Sequence, residues 1–128
     1  MRFIDLLFML AAHSQPAAPS ELEIHTSCAT ALAEHETAMR DEVARTLDHA
    51  ETHSAVDVSL LGVTEMSIGA EVEVVAEVQV IVSDGGILRW TSRARAAVRG
   101  TPGSHSELER EAVIDATHEL ATAVRSHL

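Results

Sequence analysis

The chain has 128 residues, enough for one domain around a single core and too few for two, and its 46% hydrophobic and 23% charged residues match globular usage rather than disorder. Its formal net charge of -11 argues against nucleic acid as a partner, because phosphate affinity comes largely from clustered Lys and Arg. A single cysteine excludes an intrachain disulfide.

Two further features of composition bear on packing and origin. Tyrosine is absent, Phe3 and Phe8 lie in the first ten residues, and Trp90 is the remaining aromatic, so the core must rest on aliphatic side chains. Lysine and asparagine are absent too, which reads as the mark of a GC-rich genome.

Residues 1–20 read as an export signal or, failing that, a disordered N-terminal segment. Arg2, the apolar run Phe3 to Ala12 and a Ser, Gln, Pro and Ala-rich spacer outline a signal peptide. Asp5 interrupts the run, and no clean small-x-small cleavage site follows it. The run is too short to span a bilayer, which takes about 20 residues. The expected location is therefore periplasmic or secreted, with a cytoplasmic protein carrying a frayed N-terminal helix as the alternative.

Residues 21–128 read as one domain of six elements. Glu21 to His25 alternates, with Leu22 and Ile24 on one face, and predicts a short strand. Thr26 and Ser27 offer helix N-caps. Cys28, Leu32, His35, Met39, Val43, Leu47 and Ala50 then recur at three- and four-residue steps, which predicts one helix of about six turns. Its outward face carries Glu34, Glu36, Asp41, Glu42, Arg45 and Asp48.

A second strand is expected from Ala55 to Thr64, with Val56, Val58 and Leu60 on one side and a bulge at Gly62. Glu65 to Ala70 turns the chain. The third strand, Glu71 to Ser83, sets Val72, Val74, Ala76, Val78, Val80 and Val82 on one face. After a three-residue hairpin loop, Asp84-Gly85-Gly86, the fourth strand sets Leu88, Trp90, Ser92, Ala94, Ala96 and Val98 on its matching side and Arg89, Arg93, Arg95 and Arg99 on the other. That loop would pair Glu77 with Arg93, Glu71 with Arg99, Val80 with Trp90 and Val82 with Leu88. A two-residue loop would set apolar side chains against polar ones.

Thr101-Pro102-Gly103 ends the strand, and Ser104 with Glu107, or Ser106 with Glu109, can form a capping box for a last helix. Leu108, Ala112, Ala116, Leu120, Val124 and Leu128 make its stripe, widened by Val113 and Ala121. The expected fold is α+β: a two-layer sandwich in which two helices cover one face of a mainly antiparallel sheet of three to four strands, in the order β-α-β-β-β-α. If the first strand lies beside the second, that pair is parallel and the connection a right-handed crossover.

Few residues point to chemistry. His49, Glu51 and His53 form the densest histidine cluster, with His25 or His118 as a third metal ligand; a polar helix terminus is the plainer reading. His35, on the apolar stripe, reads as a buried histidine bonded to a neighbour rather than as a base, and so does His118. Asp57 and Ser59 could join a surface histidine in a triad, but no nucleophile elbow is present. Cys28 reads as a structural thiol, and its polar neighbours His25, Thr26 and Ser27 do not make a lipobox. The Asp84 loop lacks the following helix and the lysine of a phosphate site. The arginine row could meet an acidic partner, although glutamates opposite would largely neutralise it. No cofactor fingerprint is present.

The runs VDVSLLGVT, EVEVVAEVQVIVSDGGILR, RARAAV and LEREAVIDATHELATAV resemble those of small exported proteins from myxobacteria-type genomes. More distantly, the layout over Glu21 to Leu128 is similar to two-layer modules of bacterial envelope accessory proteins of the LptE type and the TolB N-terminal type. The resemblance implies an envelope accessory role and carries no site residue with it. The expected function is a non-enzymatic protein-interaction or accessory module that meets a protein partner or itself. A small-molecule or metal-binding domain using His49 and His53 is the alternative, and a hydrolase-type enzyme the third.

Overall fold

In the computed structural model, residues 22–28, 30–48 and 54–128 are described. The N-terminal segment and the cluster of His49, Glu51 and His53 lie outside them.

Period-two alternation builds four strands: β1 (Glu23–Cys28), β2 (Ser54–Ile68), β3 (Glu71–Asp84) and β4 (Ile87–Gly100). They lie in the order β1-β2-β3-β4, with β1 parallel to β2 and the other pairs antiparallel. Two helices, α1 (Glu36–Thr46) and α2 (His105–Arg125), pack on the sheet and on each other, α1 over β1 and α2 over β3 and β4. The architecture is the α+β sandwich that the pattern of elements predicts. Val72, Val74, Ala76, Val78, Val80 and Val82 all point beneath the helices and are buried. Each fully buried valine stabilises by about 1.5 to 3 kcal/mol, and together they form the larger part of the seam. Met39 and Val43 of α1 and Ala112, Val113, Ala116, Leu120 and Val124 of α2 close it from above.

Several boundaries differ from expectation. Thr26 and Ser27 cap no helix, because β1 runs on to Cys28 in register with Ala55 to Leu60. Thr26 and Cys28 extend the alternation begun by Ile24, and on the opposite side the Ser27 and Ser59 hydroxyls lie 3.0 Å apart. The chain then leaves the sheet through a 3-10 turn, Thr30–His35, before α1 begins. Three-residue steps suit a 3-10 turn as well as an α-helix, so the stripe was preserved while the helix was shortened. It ends where the Leu47 N–H donates to the Val43 carbonyl at 2.9 Å. Glu42, assigned to the solvated face, is only 3% exposed.

β2 continues through the segment expected to turn, and the chain reverses at Gly69-Ala70, where Gly69 has φ of 62°. The bulge expected at Gly62 is present: pairing steps from Leu60 to Gly62, leaving Leu61 without a partner on β3.

The hairpin between β3 and β4 corrects the expected register. Its loop is Gly85-Gly86 alone, with φ of 61° and 84°, the positive pair that a type I′ turn requires. A second bulge follows, since Leu88 faces Ser83 while Trp90 faces Val82, leaving Arg89 as the extra residue. From Trp90 onward this extra residue cancels the parity error of a two-residue loop, so the faces match as expected while each pairing moves by two positions; Leu88, before it, falls on the Ser83 side, away from the valines. Glu77 therefore faces Arg95 and not Arg93, Glu73 and not Glu71 faces Arg99, and Val80 faces Ser92 and not Trp90. Leu88, expected in the core, is 60% exposed beside Ile87 at 69%. Trp90, stacked on His127 with centroids 4.1 Å apart, closes the covered part of the sheet at this end.

Neither capping box forms. Pro102–Ser104 is a 3-10 turn, the Ser104 hydroxyl lies 3.2 Å from that of Thr101, and Ser106 is already inside α2. Gly100 ends β4 under the helix; a Cβ there would stand 2.7 Å from Cδ2 of Leu108. Leu128 falls beyond the end of α2 and is partly exposed instead of completing the stripe. Among the described residues, no helix is long and apolar enough to cross a membrane.

Candidate functional site

The helices meet through two acid–imidazole pairs of opposite sense. His35, at the junction of the 3-10 turn and α1, is 5% exposed, and its Nε2 lies 2.9 Å from Oε1 of Glu109 on α2. In return Oε2 of Glu42, on α1, lies 2.7 Å from Nδ1 of His118 on α2. Glu42 also accepts from the Arg45 guanidinium and, at 3.2 Å, from the Thr46 hydroxyl. A carboxylate so deeply buried is tolerable only with its lone pairs filled, which these three groups accomplish.

The Glu109 pair extends into a longer chain. Its Oε2 is 3.1 Å from Nε2 of His105, one turn back on α2, and Nδ1 of His105 meets Glu65 near the end of β2. Polar contacts thus run from the surface at Glu65 inward to His35. Glu34 adds a third donor at the inner end: ligand atoms of Glu34, His35 and Glu109 all lie within 4.8 Å of one another, close enough to hold a metal ion together. An open cleft of about 340 Å³ adjoins them, with Asp41, Ser106 and Arg110 in its walls. A neighbouring cleft between the helices includes Glu42, Arg45 and Ile114.

The other candidates lie elsewhere. His49, Glu51 and His53 are outside the described residues. His118, considered as their third ligand, is engaged with Glu42, and His25 sits on the exposed side of β1, 3.7 Å from Glu23. His25 is the ladder partner of Asp57, and Ser27 that of Ser59, so a serine, a histidine and an aspartate share one sheet face. The Ser59 hydroxyl nevertheless turns to Ser27 and the His25 ring to Glu23, so these two side chains do not form the serine–histidine bond that a nucleophile needs. Burial first, and the negative charge of Glu36 second, push the Cys28 thiol above its ordinary value. Its Sγ points to Sδ of Met39 at 3.7 Å, in keeping with a structural thiol. The arginine row stands on β4, where Arg99 donates to Glu73 at 3.3 Å and Arg89 to Asp84 at 3.4 Å.

None of Glu42, Glu109, Glu65, Glu34 and His105 reads from the sequence as a site residue: Glu109 is expected in a capping box, and Glu34 and Glu42 on the solvated face of the first helix. For two of them a signal existed. His35, Met39, Glu42 and Thr46 follow one four-three-four stripe, and Glu109, Val113, Ala116 and Leu120 another, so each acid stands in line with the core.

No family model matches the chain, and no curated protein matches it in sequence. Solved structures do match. A Xanthomonas campestris protein of family DUF330 aligns with TM-score 0.61 at 10% identity, over 86% of this chain and 85% of its own. A minor lipoprotein of Acinetobacter baumannii aligns with TM-score 0.58 at 15% identity, over 88% and 95%. A PelC dodecamer of Paraburkholderia phytofirmans aligns with TM-score 0.54 at 12% identity, over 83% and 90%. At such identities the likeness is one of fold, and the fold is one that bacterial lipoproteins also adopt.

Proposed function

We propose that this protein is a non-enzymatic accessory module of the bacterial cell envelope, working on the periplasmic side through contact with protein, either a partner or further copies of itself. The observation that carries this reading is the sheet face turned away from the helices. There Arg93, Arg95 and Arg99 stand exposed along β4, and Ile81 and Leu88 lie exposed toward the hairpin end. Among the described residues β4 is also the last strand of the sheet, so one row of its backbone donors and acceptors faces no other described strand. A broad surface mixing arginine with aliphatic side chains suits protein recognition better than the capture of a small molecule, which favours an enclosed pocket. The fold likeness to a lipoprotein and to a subunit of a dodecamer supports an envelope role and self-association as one mode of contact.

Sedimentation velocity and affinity capture from source extract test the contact. The reading expects assemblies larger than the monomer, or a captured partner, and loss of both in an Arg93→Glu/Arg95→Glu variant. A strict monomer that captures nothing contradicts it. N-terminal sequencing of the protein recovered from its native cells tests the location, with a start downstream of the apolar run expected and an intact Met1 in the cytoplasmic fraction as the contrary result.

A further inference from the structure

We infer that Glu34, His35 and Glu109 form a binding site for a divalent transition-metal ion, with Zn²⁺ the ion its donors suit best. One imidazole nitrogen and two carboxylates make a mixed nitrogen and oxygen set, whereas Mg²⁺ and Ca²⁺ select sites built of oxygen alone. Zinc binds such atoms at about 2.0 to 2.2 Å, which spaces the ligands of a tetrahedral centre roughly 3.3 Å apart. The His35 Nε2 and Glu109 Oε1 are 2.9 Å apart, and all three ligand atoms fall within 4.8 Å, so movements of a few tenths of an ångström at His35 and a rotamer adjustment at Glu34 complete the geometry.

The surroundings fit a metal site in three further respects. His35 is held by burial at a fixed point where the 3-10 turn passes into α1, and a rigid first ligand lowers the cost of ordering the rest. The second oxygen of Glu109 faces His105 Nε2, and His105 faces Glu65, the kind of outer partner that orients a ligating carboxylate. Glu34 and His35 also line the open cleft, so an ion held there is within reach of water. Arg110 stands in the cleft wall and opposes a cation, but Glu34 and Asp41 line the same cleft, Glu109 adjoins Glu34, and the chain as a whole is strongly acidic.

The site joins the start of α1 to the start of α2, so an ion there would tie the helix layer together and stabilise the folded state. It is built from other residues than His49 and His53 and does not depend on the proposed envelope role.

The test is equilibrium dialysis of the full chain, stripped with chelator, against Zn²⁺, with Mg²⁺ as the control and Co²⁺ absorption as a report on geometry. One equivalent of Zn²⁺ is expected for the wild type and for a His49→Ala/His53→Ala variant, with visible Co²⁺ bands of four-coordinate intensity. Affinity should fall at least about tenfold in Glu34→Ala and in Glu109→Gln. Glu34 is exposed, so its substitution leaves the core intact even if Glu109→Gln folds poorly. Failure of the wild type to bind Zn²⁺, full affinity in Glu34→Ala, or loss of binding in His49→Ala/His53→Ala would each overturn the assignment.

Discussion

The carboxylate of Glu42 and the imidazole of His118 meet at 2.7 Å across the helix pair, and Glu109 and His35 meet at 2.9 Å in the opposite sense. Each helix gives one acid and receives one. The two helices are therefore fixed against each other by polar contacts at their edge, while the aliphatic seam beneath supplies most of the stability.

The Glu42 pair predicts an asymmetry between its partners. His118 is largely exposed and Glu42 keeps Arg45 and Thr46, so His118→Ala should cost only about 1 kcal/mol in urea unfolding. Glu42→Met removes the buried charge together with its need for partners and should be neutral or stabilising. A loss of several kcal/mol in Glu42→Met would mean that the pair holds the helices more tightly than the packing does.

Thr117 offers a stabilising substitution. It is 0% exposed, and its Oγ1 has no hydrogen-bond partner among the described residues. Thr117→Val keeps the shape and removes the unsatisfied hydroxyl, so the melting temperature should rise, by about 1 kcal/mol of added stability. An unchanged or lower midpoint would point to a partner for that hydroxyl, such as a bound water.

The glycines of the strands and turns should differ sharply. Gly86 has φ of 84°, a region that L side chains rarely adopt, and Gly86→Ala should destabilise by about 1 kcal/mol or more. Gly62 has open space around its Cα and no positive φ, so Gly62→Ala should change stability little. Equal losses at the two positions, measured by chemical denaturation, would refute the two-residue loop.

Cys28 carries a pH dependence. Its thiol is raised in the folded state, chiefly by burial, so at a given mildly alkaline pH the native protein holds less thiolate than the unfolded chain. Alkylation by iodoacetamide should be slow in buffer and fast in urea. The sign for stability follows: the contribution is intact below the ordinary thiol value and is lost as pH rises through the raised folded value. Equal alkylation rates in buffer and urea would contradict this.

The aliphatic seam was legible because period-two and stripe patterns are written directly in residue type. Val72 to Val82 and Leu108 to Val124 read correctly, as did the bulge at Gly62 and the order of elements. Register was not. Loop length alone decides parity in a simple hairpin, and a bulge at Arg89 alters it without leaving a distinctive residue. The boundary at Cys28 failed because Thr, Ser and Cys suit a strand and a cap alike. The polar pairs were half legible: His35 was expected to find a partner, but a partner 74 positions away cannot be named from spacing. Glu42 was misassigned because an acid on a helix is ordinarily solvated, although its place in line with Met39 was readable.

Photo-crosslinking in the native cell most directly tests the claim that the uncovered sheet face meets protein. A photoreactive residue at Arg93 or Arg95 should give discrete protein adducts, to a second copy or to a partner, while the same residue at Glu111, exposed on α2, should give none. Silence at both arginine positions, or equal adducts from Glu111, would contradict the account.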